Sequence, residues 1–505
     1  MTCCTEPRPI DSQERNRKPS SNLIWLAAIS GVILLAILLR VWGLSLESLE
    51  GDGLFSYRVV SAKIPQGMAI IRNDLVHPPL YYFLLRAWLA IVGHVSPAAL
   101  RAVSLVSGVA VVALIALAGF LFPEFRVTTF IAACFLAANN LHIFYSQQVR
   151  SYAFYTLLFA CLLTWSWLIG RFGGRFAFWC LGTAVMSLLV YTHYVGSLYT
   201  ACIIVAVTLS PVPRRAKFHV WIAGVVAACS FIPWILAELG PAHRHHGVQD
   251  NLSWESLPTV YDLKAIWANY LGIPAWHAAT TGVLLIGCAH IVFGIFYCRS
   301  ERSSFRRLFL LTLICTAFIP PCLLFVLSLK PISLPVFGAR HLLPSIVSYL
   351  LLVAEGLVQL AHSFRARTIA LVMGSTALLA LELVPTSAAI ANEPRRMPFR
   401  EIAAATPAGL PLYTTWPYGI GGPMNFYEGG RNAVRDIPAD TSQLPDDFVV
   451  IFRPGVPREE QTFERLTQMG WRDVENRDFY NGSHTGYFAR AAYLRHERAK
   501  VESGL

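Results

Sequence analysis

The chain has 505 residues, 55% of them hydrophobic and only 14% charged. A soluble domain is nearer a quarter charged, so a soluble globular protein is excluded, and repeated uncharged stretches of about 20 residues predict a polytopic membrane protein. The net charge of +11 raises nucleic acid as a partner, but the Arg and Lys residues stand in short clusters between apolar runs, where anionic lipid is the natural counterpart; no nucleic-acid partner is expected.

In chain order, a polar and basic N-terminal tail (1–22) comes first and an apolar run follows from Leu23 to Trp42. That run is too long for a signal-peptide core and no small-x-small cleavage site follows it, so an uncleaved anchor is expected. Further spans are predicted at Leu100–Phe122, Val127–Phe144, Tyr152–Gly170, Phe176–Tyr191, Ser197–Pro211, Val220–Leu239, Trp276–Tyr297, Leu308–Leu329, His341–Leu360 and Ile369–Ala389. The eleven cysteines are not placed as a disulfide framework: Cys3 and Cys4 lie in the polar tail and the others fall in or beside apolar runs, as small buried residues do.

Leu80–Val92 is apolar but short, with Arg86 near its centre. The positive-inside rule decides its course. If it does not cross, and the basic N-terminus is inside, the clusters Arg171/Arg175, Arg214/Arg215/Lys217, Arg299/Arg302/Arg306/Arg307 and Arg365/Arg367 all fall inside; if it crosses, all flip outside. Leu80–Val92 is therefore expected to lie along the outer surface, which leaves about eleven spans by length. Residues 392–505 switch to a polar composition with alternating apolar stretches ("LPLYTT", "DFVVIF", "GYFARAAYL") and a helix-like "REEQTFERLTQM". The expected fold class is an all-α polytopic membrane protein (23–391) with interfacial helices in its first outer loop and a small extracytoplasmic C-terminal α/β domain.

The outer loops collect the chemistry. "LEGDGLFSYR" places Asp52 between two glycines directly after the first span; it is read either as a helix N-cap or as a carboxylate held at the membrane surface as base or metal ligand. In "HPPLYY" two prolines fix an extended corner and allow a helix to start, which aims His77 from a rigid support. Arg150 and Arg340 each end an outer loop where a helix re-enters the membrane. They either snorkel or clamp a phosphate through the planar fork, and Arg101 stands at a similar depth. His193 and Tyr194 cap a span on the outer side and are expected to line the cavity. His243, His245 and His246 in "PAHRHHGVQD" read as a polar loop in preference to a metal set. Trp254 and Trp267 read as interface packing, and Glu355 as a bundle residue with an internal partner.

Taken together, "GDGLFSYRVVSA", "HPPLYYFLLRAWLAIVG", "ALRAVSLVSG", "YSQQVRSYAFYTLL" and "GARHLLPSIVSYLLL" resemble the GT-C membrane glycosyltransferases, in the bacterial branch related to protein O-mannosyltransferases and to lipopolysaccharide galacturonosyl- and mannosyltransferases. The resemblance covers residues 23 to 390. It implies transfer of a sugar from a polyprenyl-phosphate-linked donor to a glycolipid, glycan or protein acceptor at the outer face of a bacterial inner membrane. Asp52 and His77 would then be catalytic, Arg150, Arg340 and Arg101 would bind the donor phosphate, and Tyr57, Tyr81, Tyr152, His193 and Tyr194 would line the substrate cavity. Two departures bear on metal. Gly53 follows Asp52 where many relatives have a second acid, and Ser151 and Tyr152 follow Arg150 where many have another; no cofactor is assigned and a divalent cation is left open. Two other classes remain: a lipid-linked sugar transporter or flippase, which predicts inverted repeats and broken helices with polar sites at mid-membrane, and an O-antigen polymerase or ligase, which shares outer-loop arginines without the early Asp and HPPL block.

Overall fold

A computed structural model describes residues 19–238 except 45–47 and 50, then 257–270, 304–362 except 331, 333 and 335, 374, and 398–496 except 408, 416–419, 421, 429–432 and 482–485. Helices in chain order are α1 (Pro19–Val41), α2 (Gly51–Ser61), α3 (Ile64–Asp74), α4 (Leu80–Val92), α5 (Pro97–Leu121), α6 (Arg126–Ala138), α7 (Asn140–Ser146), α8 (Tyr152–Trp167), α9 (Ile169–Phe172), α10 (Phe176–Thr192), α11 (Gly196–Leu209), α12 (Arg214–Glu238), α13 (Val260–Tyr270), α14 (Ser304–Ser328) and α15 (Leu343–His362). The expected spans Trp276–Tyr297 and Ile369–Ala389, and the loop with His243, His245 and His246, lie outside the described residues.

By length and composition α1, α5, α12 and α14 can each cross a membrane, and α6 with α7, bent by 64° at their junction, makes a fifth candidate. The expected count of about eleven is not reached among the described residues. The reason is length: α8, α10 and α11 have 16, 17 and 14 residues, and at about 1.5 Å per residue they fall short of an apolar core of about 30 Å. Leu23, Ile24, Phe218 and Leu236 stand exposed on α1 and α12, an apolar surface that lipid covers. The protein is an integral membrane protein.

The two ends of the bundle differ. At one end Arg171 donates to the Leu121 carbonyl, and Arg306 lies over Phe125 and pairs with Glu355. Glu355 also accepts from Thr128 (2.6 Å) and Gln359 (2.7 Å), so this buried acid has the internal partners that its burial demands. At the other end Arg101, in the first turns of α5, donates to the carbonyls of Leu44 and Ser48, just past α1. The segment between α1 and α5 thus starts and finishes at one end. Arg86, the charge in the middle of α4, donates to the Ala62 carbonyl at 2.7 Å, where α2 runs out. Trp267 packs on Phe318 and Tyr349 inside the bundle.

The junction of α6 and α7 has a local cause. Asn139 takes an extended backbone (ψ 116°) and its side chain accepts the His142 N–H at 3.0 Å, capping α7 while ending α6. The last carbonyls of α6 then need donors. Arg40, fully buried on α1, supplies them, donating to Leu136 and Ala137 (3.1 Å each) and to His142 Nδ1 (2.7 Å). Gly108 leaves room for the contact, since a Cβ there would come within 2.1 Å of Ser146 Oγ.

The C-terminal unit carries a five-stranded mixed sheet in the order β2-β1-β3-β5-β4, with β1 Leu412–Thr414, β2 Val434–Asp436, β3 Asp447–Phe452, β4 Trp471–Asn481 and β5 Gly486–His496. β1 pairs in parallel with β2 and β3, and β5 runs antiparallel to β3 and β4. β3, "DFVVIF", is buried on both faces, as a near-continuous apolar run in a covered central strand is. α16 (Phe399–Ala405) and α17 (Gly422–Glu428) cover one face through Phe399, Ile402 and Met424, and α18 (Pro457–Gln468) covers the other through Leu466. This unit rests on the first loop: the Tyr427 hydroxyl accepts the Leu49 N–H at 2.6 Å, Ser48 Oγ accepts the Arg400 N–H at 3.1 Å, and Phe426 meets the Tyr57 ring at 5.1 Å.

Candidate active site

α2 begins at Gly51, so Asp52 lies within its first turn and does not cap it. Its carboxylate accepts from Arg150 Nη2 at 2.7 Å, across 98 residues of sequence. Arg150 is held by further contacts: Nη1 donates to the Tyr82 hydroxyl at 3.1 Å, the guanidinium lies 5.1 Å from the Phe55 ring, and its carbonyl accepts from Ser104 Oγ at 2.9 Å. The Arg150 side chain is 8% exposed and that of Asp52 46%, so the pair has a buried cationic end and an open anionic end. Burial by itself would raise the Asp52 pKa; Arg150, with His77 and Arg340 further off, outweighs it and holds the carboxyl at about 2.

His77 is reached through a left-handed turn at Leu75 (φ 57°), which ends α3 and directs the chain into Pro78 and Pro79 ahead of α4. Its Nδ1 meets Asp74 Oδ2 at 3.3 Å. A carboxylate accepts only, so Nδ1 carries the hydrogen, and the buried Nε2, which has no partner among the described residues, is left as an open acceptor. Burial lowers the His77 pKa, with Asp74 pulling against it.

Around His77 stand His193 (ring centroids 5.8 Å apart) and Tyr152 (6.1 Å). Tyr155 stacks on His193 at 4.7 Å, and His341 lies 5.1 Å beyond. Burial keeps His193 and His341 well below the ordinary histidine pKa. Arg340 Nε lies 3.2 Å from His341 Nε2. Asp52, His77, Arg150, Tyr152, His193 and Arg340, singled out from five separate stretches of sequence, thus converge at one end of the bundle.

The remaining expected residues have other tasks. Arg101 is fully buried and holds the carbonyls of Leu44 and Ser48. Tyr81 shares a hydrogen bond with Ser104 at 2.9 Å, behind Arg150. Tyr57 faces Phe426, and Tyr194 binds Glu238 and accepts from Trp234 Nε1 at 3.1 Å. His341 opens the expected span His341–Leu360 and so does not stand out as a site residue in the sequence; an ionisable side chain at a span boundary is the signal that marks it. For metal, the donors in place do not fit a preformed divalent site. Asp52 is engaged by Arg150 and Asp74 by His77, and among the described residues no three His, Cys, Asp or Glu side chains group closely enough.

A bundle whose loop helices bring an acid and several cations to one end, with a sheet unit resting on them, has the GT-C fold. Its finer subdivision is a matter of the motifs alone. No family model matches the chain, and no curated protein matches it. Among solved structures the chain is similar to ArnT from Cupriavidus metallidurans in the apo state, at a TM-score of 0.58 and 13% identity over 94% of this chain and 98% of that one. ArnT bound to undecaprenyl phosphate gives 0.53 and 12% over the same shares. The oligosaccharyltransferase AglB from Archaeoglobus fulgidus, in complex with an inhibitory peptide and a dolichol-phosphate, gives 0.53 and 12% over 82% of this chain and 65% of that one.

Proposed function

We propose that this chain is an inverting glycosyltransferase of the outer membrane face, moving a sugar from a polyprenyl-phosphate donor to a glycolipid, glycan or protein acceptor. The observation that carries the reading is the convergence of one open carboxylate, Asp52, with Arg150, His77 and Arg340. A lipid-linked phosphate needs cations at the rim of the bilayer, because the leaving phosphate gains negative charge as the glycosidic bond breaks. Arg340 meets that charge and Arg150 stands behind it. Asp52 orients the acceptor hydroxyl and draws its proton as the bond forms, and the free Nε2 of His77 is a second acceptor beside it. The fold neighbours bound to undecaprenyl phosphate and dolichol-phosphate support a donor of this chemistry. By the positive-inside rule the end that carries Arg171 and Arg306 faces the cytoplasm, with the site and residues 392–505 on the outer side of a bacterial inner membrane.

The test is turnover of labelled polyprenyl-phosphate sugars by the purified protein in nanodiscs. Release of free polyprenyl phosphate with a glycosylated product supports the reading; sugar lipid that crosses the bilayer unchanged means a flippase. Arg340→Lys keeps the charge and loses the fork, and is expected to weaken donor use by about 1–3 kcal/mol, the scale of a charged hydrogen bond; donor dependence unchanged in Arg340→Lys and Arg340→Gln would make it a snorkelling anchor. Topology is checked by reporter fusions, inside at Ser210 and outside at Leu505. Cytoplasmic activity at Leu505 would sink the orientation.

A further inference from the structure

His193 and His341 have no chemistry assigned so far, yet their hydrogen bonds contain a surplus. The Val195 N–H donates to His193 Nδ1 at 3.2 Å. His193 Nε2 faces His341 Nδ1 at 3.2 Å, and His341 Nε2 faces Arg340 Nε at 3.2 Å. These are three contacts in a row. The amide and the guanidinium each bring a hydrogen that they do not give up, and each neutral imidazole brings one more. Four hydrogens meet in three contacts.

A backbone amide cannot turn away, so His193 Nδ1 is the acceptor and Nε2 carries the hydrogen. That hydrogen goes to His341 Nδ1, so His341 in turn carries its hydrogen on Nε2. There it confronts the Nε–H of Arg340, donor against donor. With the rings and the guanidinium placed as they are, only an imidazolate would remove the conflict within the protein, and nothing near neutral pH produces one. Both rings are at most 5% exposed, and burial disfavours the doubly protonated form that would worsen it. What satisfies two such donors 3.2 Å apart, one of them cationic, is an anionic oxygen to one side of both that accepts from each.

We infer that His341 Nε2–H and Arg340 Nε–H form a joint oxyanion site for a phosphate group, with His193 and the Val195 amide holding His341 in the donating tautomer. This rests on the reading of Arg340 as a phosphate ligand and adds a second ligand to it. His341 touches the anion; His193 is a positioning residue. A lipid-linked phosphate and free phosphate share the chemistry.

The test uses the full-length protein in nanodiscs, with undecaprenyl phosphate, undecaprenol and inorganic phosphate as probes. His341→Phe is expected to weaken undecaprenyl phosphate binding about tenfold or more, the scale of one charge-assisted hydrogen bond, with undecaprenol binding unchanged. His341→Gln, which keeps an N–H near the Nε2 position, should recover most of the loss. In the unaltered protein, 15N-histidine NMR should show His193 and His341 both protonated at Nε2, with the His341 signal shifted by the phosphate probes. A shift with inorganic phosphate at millimolar concentration means a free anion suffices; a shift with the lipid alone identifies the headgroup as the ligand. Parental affinity in His341→Phe, or an Nε2 of His341 without hydrogen in the bound state, overturns the inference. If Arg340→Gln loses binding while His341→Phe keeps it, the inference falls and the Arg340 reading stands; if neither loses it, both fall.

Discussion

Asp52→Asn is expected to accumulate in the membrane at parental levels and to turn over about 100-fold more slowly or worse, the scale of a lost general base. Asn keeps the shape, and its carbonyl oxygen can still accept from Arg150. The change removes only the charge and the basicity. Folding should survive because the Asp52 end of the pair is 46% exposed, where an ion pair contributes little, and Arg150 keeps the Tyr82 hydroxyl. The pH profile gives an independent reading. With its pKa held at about 2, Asp52 is ionised throughout the neutral range and its contribution is lost only as pH falls toward that value, so no acid limb from this group is expected between about pH 5 and 8. Removing the cation in Arg150→Gln lets the carboxyl rise and moves the limb to higher pH. Chelator should have little effect on the parent, given the donors in place. Asp52→Asn with near-parental turnover would take away the centre of the proposed mechanism.

The largest loss of stability is expected from Arg40→Met. This side chain joins α1 to the break between α6 and α7 through the carbonyls of Leu136 and Ala137, His142 and Ser146. Met fills much of the volume and donates nothing, so two buried carbonyls and an imidazole nitrogen lose their donor, each at about 1–3 kcal/mol. A total on the order of 3–5 kcal/mol follows, as for breaking a buried charged contact. Thermal unfolding in detergent measures it. Arg40→Lys should recover only part, because a compact ammonium cannot span the three acceptors. An unchanged midpoint in Arg40→Met would mean that water or a lipid group replaces the guanidinium.

Asp52, His77, Arg150 and Arg340 could each be picked out from local sequence, because a charged or rigidly supported polar residue beside a membrane span is costly unless used. Their partners could not. Which cation meets Asp52 depends on α2 lying against the Arg150 loop, a contact across 98 residues that no local pattern encodes. Arg40 was hidden for a related reason: a lone arginine near the end of an apolar run reads as a snorkelling terminus, and only packing against α5 and α6 shows it to be buried. The adjacent Asn139 and Asn140, inside the expected span Val127–Phe144, were the sign of the break. The short helices α8, α10 and α11 were legible as apolar segments, but their ends were drawn from composition, and composition does not register where a loop tightens around a site.

Ser48 and Leu49 are held from below by Arg101 and from above by Arg400 and Tyr427. A boundary at residue 392 divides the sequence into modules but does not divide the molecule into them. In a hybrid that took its terminal sheet from a relative, the Leu49 amide would face a foreign surface three residues before the carboxylate, and Tyr57 would lose the edge of Phe426. Recombinants of this architecture should therefore work when residues 48–57 travel with the terminal unit and fail when they are left behind, so that two stretches more than 350 positions apart are inherited as one part.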